Sequence, residues 1–321
     1  MSALYITIDT EYAAGMVAKR GPDCRAENFA RSIACATPGG AVGTEYQMDV
    51  FDRRGLKAVF FVDPMPALLW GVEAIADVVG PIAARGHDVQ LHLHTEWLEF
   101  AEKSPVGGRT GLNIKDFAFE EQCRLLEYAR RVLIAAGAPA PTAFRAGNYG
   151  ANDDTLRALA EIGLTHDTSH CPGIAGSHCE IGLTTEDRQP VKHCGVVEVP
   201  IGCIASTGGS LRHTQLTALS AQEILSALAH AQANRIPSLT LVSHSFEMLS
   251  RDRSRINQIV RRRFERLCAG LERAGVPTAT YAGNPPVALA TAFAPVLPHS
   301  ALRTGFRLAE QALANQLYGA R

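Results

Sequence analysis

The chain has 321 residues, 46% apolar and 20% charged, with a formal net charge of -1 and an isoelectric point near 6.8. That balance belongs to a globular protein with a substantial core. It excludes a basic field that would collect nucleic acid or acidic lipid, and no apolar run approaches a membrane span. The start of the chain shows no basic stretch followed by a long apolar one, so no signal peptide is expected. Eight scattered cysteines form no disulfide framework, and reduced thiols in the cytoplasm are the expectation.

Leu4 to Ile8 reads as a short strand ending at Asp9-Thr10-Glu11, whose two acids can face the same side. Residues 12–43 carry little periodicity and suggest a long functional loop or an insertion with a short helix. Glu45 to Arg54 reads as a helix closed by Gly55, Ala58 to Val62 as a buried strand, and Ala67 to Ala84 as a helix stopped by Gly86. In the next strand Leu91 and Leu93 alternate with Gln90, His92 and His94. Period-two alternation puts the two imidazoles on one face, where they can share a transition-metal cation. Two unpaired imidazoles in a core would be costly, which favours the metal over a pair of polar strand residues. Glu96 continues that face and offers a third, oxygen ligand.

Residues 101–115 read as a surface loop, and Glu120 to Ala135 as an amphipathic helix. Thr142 to Arg145 is a short strand running into Ala146-Gly147-Asn148-Tyr149-Gly150. Asn152 caps a helix from Asp153 to Ile162, and strands follow at Leu164–Asp167 and Val196–Val199. Between them lie His170-Cys171, His178-Cys179 and His193-Cys194. Their spacing matches no metal pattern, so an irregular loop with thiols facing the core is preferred over a second zinc site. Ser220-Ala221-Gln222-Glu223 is a capping box opening a helix to about Asn234. Leu239 to Val242 is a buried strand ending at Ser243-His244, and Ile256 to Leu271 a basic helix whose Arg261-Arg262-Arg263 reads as a solvated face. Thr278 to Tyr281 closes the strand series. A tail helix with Leu302, Phe306, Leu313 and Leu317 is expected to pack on the barrel or on another subunit, which leaves homo-oligomerisation open.

Strands alternating with helices imply parallel βαβ units, and without a glycine-rich phosphate fingerprint a (β/α) barrel fits best. Barrel chemistry sits at the C-terminal strand ends. Asp9 and Glu11, His92 and His94, Arg145 and His244 all stand there.

These residues resemble the polysaccharide deacetylase (NodB-homology, carbohydrate esterase 4) family over residues 4–282. The motifs appear in the family's order: Ile6 to Glu11, Gly86-His87-Asp88-Val89 with the histidines beyond, Phe144 to Gly150, and Leu241 to His244. The resemblance implies an α/β, NodB-like distorted (β/α) barrel over residues 1–285 and a C-terminal helical extension over 286–321. It implies Asp9 as catalytic base, Arg145 as the group orienting it, and His244 as general acid. Glu11 would take the ligand role of the family's second aspartate. His92, His94 and Glu11 would then hold a divalent metal ion, zinc first, with His94 preferred over Glu96 as the last ligand. Asn148, Tyr149 and Glu96 are left as substrate contacts. Were Asp9 itself a ligand, Glu247 would be the next base. The branch looks most like the WbmS-type deacetylases of O-antigen and surface-polysaccharide biosynthesis. The implied activity is hydrolysis of an N-acyl group, acetyl first, on an amino sugar or sugar-containing precursor. Two other classes remain: a non-catalytic glycan-binding relative, and a metal-independent amidohydrolase acting on a small cyclic amide.

Overall fold

The computed structural model describes residues 2–319. One curled sheet of eight strands carries the molecule. In chain order they are β1 (Ala3–Thr10), β2 (Val59–Val62), β3 (Asp88–Leu93), β4 (Ala143–Ala146), β5 (His166–Asp167), β6 (Val191–His193), β7 (Val196–Glu198) and β8 (Ser238–His244). Their order across the sheet is β8-β1-β2-β3-β4-β5-β7-β6, and all pairings are parallel except the β6–β7 hairpin. Between β7 and β8 the wall is completed by residues 202–216. Gly202 N–H donates to Thr240 O at 3.0 Å, and Val242 N–H to Thr214 O at 2.9 Å. The result is a distorted (β/α) barrel. Its outer helices are α1 (Thr44–Asp52), α2 (Val72–Ala84), α3 (Phe119–Ala135), α4 (Asp153–Glu161), α5 (Ala221–Ala233) and α6 (Gln258–Arg273), with α7 (Ala301–Tyr318) at the C-terminus.

Both faces of the sheet are buried, and alternation sorts the residues between two cores. Leu4, Ile6, Ile8, Phe60, Val62, Leu91 and Leu93 pack outward against the helices. Tyr5, Val59, Phe61 and Ala143 fill the barrel interior with Tyr281. By the same alternation Thr7, Asp9, His92 and Arg145 face inward at the upper end.

Several expectations are corrected. The segment Thr278–Tyr281 is no strand: it makes one bridge, Leu4 with Thr278. β2 joins β1 only from Thr7 onward, so the lower edge of β1 is open to this segment for a single residue pair. The eighth strand is instead β6, reached through a turn in which Cys194 and Gly195 both have positive φ, 45° and 94°. The helix expected over Ala67–Ala84 is broken at Gly71, whose φ of 76° only glycine adopts cheaply. Residues 12–43 hold two short helices, Ala14–Arg20 and Arg25–Ser32, and a small hairpin. That insertion packs on the loop after β8, where Ser245 Oγ donates to Ser32 O at 2.6 Å. The three His-Cys pairs keep to expectation: Cys171 is buried, and Cys179 and Cys194 are half-buried and packed against the core.

The basic helix and the tail differ in a related way. Arg263 is buried rather than solvated, donating to Leu216 O at 2.8 Å and pairing with Glu310 of α7. Arg307 of α7 is buried against Glu223, Nε to Oε1 3.2 Å. The tail helix therefore docks through two ion pairs, and Leu302, Phe306, Leu313 and Leu317 face outward.

Candidate functional site

Parallel pairing brings the strand ends into register. Asp9 lies opposite His244 across β1–β8, and His92 opposite Arg145 across β3–β4. Each strand thus delivers its polar terminus to one level of the barrel. Asp9, Glu11, His92, His94 and His244 line a cavity of about 220 Å³ there, with Ala146, Asn148 and Tyr149 completing the wall.

The acid–guanidinium pair is buried at the cavity floor. Arg145 donates from Nη1 to Asp9 Oδ1 at 2.6 Å and from Nη2 to Thr7 Oγ1 at 2.8 Å. Its guanidinium lies 4.4 Å from the Phe61 ring centroid, inside the barrel. Burial alone would raise the Asp9 pKa, but the charge of Arg145 above all, with a further contribution from His244, holds it below the ordinary carboxylate value. Asp9 is therefore ionised at neutral pH, with Oδ2 3.8 Å from His244 Nε2.

Three ligand-type atoms converge beside it. Glu11 Oε2 is 2.7 Å from His94 Nε2 and 3.2 Å from His92 Nε2. The three side chains offer donor atoms within 4.8 Å of one another. Glu11 Oε2 is buried, and among the described residues no donor N–H is well aligned on it, although both ring nitrogens lie close. A buried carboxylate oxygen without an aligned donor, facing two imidazole nitrogens, is what a cation would satisfy. The outer nitrogens support this. His92 Nδ1–H donates to Arg145 O at 2.6 Å, and His94 Nδ1 faces Glu96 Oε2 at 3.1 Å. Both contacts place a proton on Nδ1, so that with a cation bound each Nε2 would be the free donor beside Glu11, the outer bonding that metal-binding histidines show. Gly147 makes room for this: a Cβ there would sit 2.7 Å from the His94 ring.

His244 is held from the other side. Glu247 Oε1 is 3.0 Å from His244 Nδ1, and Ser243 Oγ donates to Glu247 Oε2 at 3.0 Å. Burial would lower the His244 pKa, but the Glu247 carboxylate, then Asp9 and Glu11, push it up to about 9. The ring is thus a protonated donor facing the cavity at neutral pH.

The sequence-predicted residues fall in different places. Asp9, Glu11, His92, His94 and His244 meet at the cavity, and Arg145 supports Asp9 from below. Asn148 and Tyr149 stand on the wall, both in the left-handed region with φ of 55° and 56°. Two consecutive non-glycine residues held there are backbone strain of the sort that collects at functional sites. Glu96 does not line the cavity: its carboxylate backs His94. Two residues were missed. Asp63, directly after β2, is buried with Oδ2 unpartnered, and burial lifts its pKa to about 6. Its signal was an acid immediately after a buried apolar strand. Glu247 appeared only as a substitute base, whereas the structure places its carboxylate against the outer nitrogen of His244.

No family model matches the sequence, and no curated protein matches it. Solved structures do. A crystal structure from Mycobacterium smegmatis, provisionally named a polysaccharide deacetylase, superposes with a TM-score of 0.50 at 16% identity, over 87% of this chain and 93% of that one. A 4-α-glucanotransferase from Thermococcus litoralis also reaches 0.50, at 9% identity over 88% of this chain and 38% of that one. A family 4 carbohydrate esterase from Streptomyces lividans in complex with acetate gives 0.42 at 12% identity, over 89% and 97%. At these identities the likeness is one of fold. Two different chemistries occur among the neighbours, so function has to be argued from the site.

Proposed function

We propose that this chain is a metal-dependent hydrolase that removes an N-acyl group, acetyl first, from an amino sugar or a sugar-containing precursor of a surface polysaccharide. One observation carries the reading: an ionised buried carboxylate, a Glu-His-His cluster and a protonated imidazole face a single cavity at the C-terminal strand ends. The motif order in the sequence supports the carbohydrate class, and the polysaccharide deacetylase name of the Mycobacterium smegmatis neighbour agrees with it.

Glu11, His92 and His94 would hold the cation, and two imidazoles with one carboxylate suit zinc. When bound, the ion supplies Lewis acidity, polarising the acyl carbonyl and acidifying a water. Asp9 takes the proton of the attacking water, since Arg145 keeps it ionised. Arg145 also fixes its direction, because one fork of the guanidinium is spent on Thr7 and the other on Asp9. His244 Nε2–H then protonates the departing amine nitrogen, for a neutral amine leaves where an amide anion does not. Glu247 keeps that proton on the ring until it is needed.

The test is turnover with metal analysis. Purified protein should release free amine from N-acetylated amino sugars, nucleotide sugars or oligosaccharides, and lose that activity with a chelator. Metal-loaded protein that releases no amine from any of them favours a glycan-binding role. Turnover of a cyclic amide that survives complete metal removal favours the metal-independent amidohydrolase.

A further inference from the structure

The His-Cys pairs of the sequence are not all alike once folded. His193-Cys194 lies in the β6–β7 hairpin, and the hairpin turn packs on α4, so closely that a Cβ on Gly195 would sit 2.8 Å from the Ala160 Cβ. Asp153, the first residue of α4, meets it: Asp153 Oδ1 is 2.8 Å from His193 Nε2. A carboxylate oxygen of Asp153, a ring nitrogen of His193 and Cys194 Sγ all lie within 4.8 Å of one another. Asp153 Oδ1 also accepts the Gly182 N–H at 2.8 Å, which fixes its orientation as ligand carboxylates are fixed in metal sites.

An independent observation concerns the turn. Two consecutive positive-φ residues are the mark of a primed two-residue hairpin turn, which favours Asn-Gly, Asp-Gly or Gly-Gly. Here the first position is a cysteine at φ 45°, a conformation that costs an ordinary L-residue about 1–2 kcal/mol. That turn sets Cys194 Sγ beside His193 and Asp153, so the strained position carries the residue that completes the donor set.

We propose that Asp153, His193 and Cys194 form a second zinc site, separate from Glu11, His92 and His94, that staples the hairpin to the start of α4. Thiolate, imidazole and carboxylate together suit zinc over magnesium or calcium, which take oxygen ligands. Three protein ligands leave one position for water. Binding converts the Cys194 thiol to a thiolate and releases that proton to solvent. The open position distinguishes it from the closed four-ligand structural sites, and its effect on the fold is to brace the hairpin. β6 is the outer edge of the sheet, and a staple at its turn holds that edge on the barrel. The site stands without the catalytic reading, because it shares no residue with it.

Cobalt substitution distinguishes the two sites, since only this one contains sulfur. Apo-protein titrated with Co²⁺ should develop the near-ultraviolet sulfur-to-cobalt charge-transfer absorption, saturating at one equivalent of thiolate-bound cobalt. Cys194→Ser should abolish that band while keeping the visible cobalt bands of the first site, and His92→Ala should keep the near-ultraviolet band. Zinc per chain should fall by one in Cys194→Ser, whatever the occupancy of the first site. Added zinc should raise the melting temperature of wild type more than that of the variant, with the two equal in chelator. Absence of the near-ultraviolet band in wild type, or its persistence in Cys194→Ser, overturns the proposal and leaves Asp153–His193 as an ion pair only.

Discussion

Replacing Glu247 by Gln tests the general-acid reading most sharply. The variant keeps the shape and removes the charge behind His244; the amide oxygen can still accept from Gln215 and His244, and the amide nitrogen would donate to the Ser243 hydroxyl, which turns to accept. That charge is the largest upward influence on the imidazole, against a burial that pulls the other way. With Gln there, His244 should fall from about 9 to its ordinary value of about 6.5 or below. At pH 8 the protonated fraction then drops from about nine-tenths to about three-hundredths, so kcat/KM for an amide substrate should fall about thirtyfold. At pH 6 both enzymes are mostly protonated, and the loss should shrink to less than about twofold. The assay is the pH profile of amine release by metal-loaded wild type and variant, with an aryl acetate as a second substrate. Its leaving group needs little protonation, so its profile should barely move. A uniform loss at every pH, or an unmoved basic limb, would refute the role of Glu247 and with it the protonated state assigned to His244.

Glu11→Ala and His92→Ala should each empty the cavity's metal site after dialysis; full occupancy of that site by elemental analysis would remove these residues as ligands. Glu96→Gln should retain the metal but weaken its affinity about 10–100-fold by chelator competition, as loss of an outer partner does; complete loss would make Glu96 a ligand in place of His94. Asp9→Asn and His244→Gln should each lower amide turnover about 10²–10⁴-fold with metal still bound, and the aryl ester should rescue only His244→Gln; loss of metal from Asp9→Asn would make Asp9 a ligand. His87 gives a stability prediction. Burial, against the pull of Asp52, lowers its pKa to about 4, so it is neutral in the fold but protonates in the unfolded chain below about 6.5. Stability is then lost as pH falls from about 6.5 to 4, by about 2 kcal/mol between pH 7 and pH 5; urea unfolding of His87→Asn should show a slope shallower by that amount, and an unchanged slope would show that His87 does not set it.

Much of the site was legible because its signals are local. Alternation from Gln90 to His94 needs only the period of a strand, and an acid or imidazole just after an apolar run needs only the barrel rule. What depends on long-range pairing was not legible. Arg145 and Asp9 are 136 residues apart, and their pairing was expected only through the family resemblance, while nothing in the sequence says that the guanidinium rests on Phe61. The tail failed for a related reason. Its apolar stripe says that one face wants cover, but not which face the barrel offers. Glu223 and the α6 residue Arg263 form ion pairs with the opposite face, and that choice is invisible until α5, α6 and α7 are placed.

The barrel interior explains why polar strand ends were such a reliable guide here. Along β1 the inward side chains run Tyr5, Thr7, Asp9, passing from an aromatic plug to a hydroxyl to a buried carboxylate. β2 and β4 repeat the lower layer with Phe61 and Ala143, and β3 and β4 supply the upper one with His92 and Arg145. A fixed period of two cannot change which face a side chain takes, so the change from apolar to charged has to occur along each strand. Buried charge is tolerated only where partners meet at the same level. Parallel register provides that meeting for Asp9 with His244 and for His92 with Arg145. The apolar floor beneath them keeps water from the Asp9–Arg145 pair, which strengthens the attraction that holds Asp9 ionised.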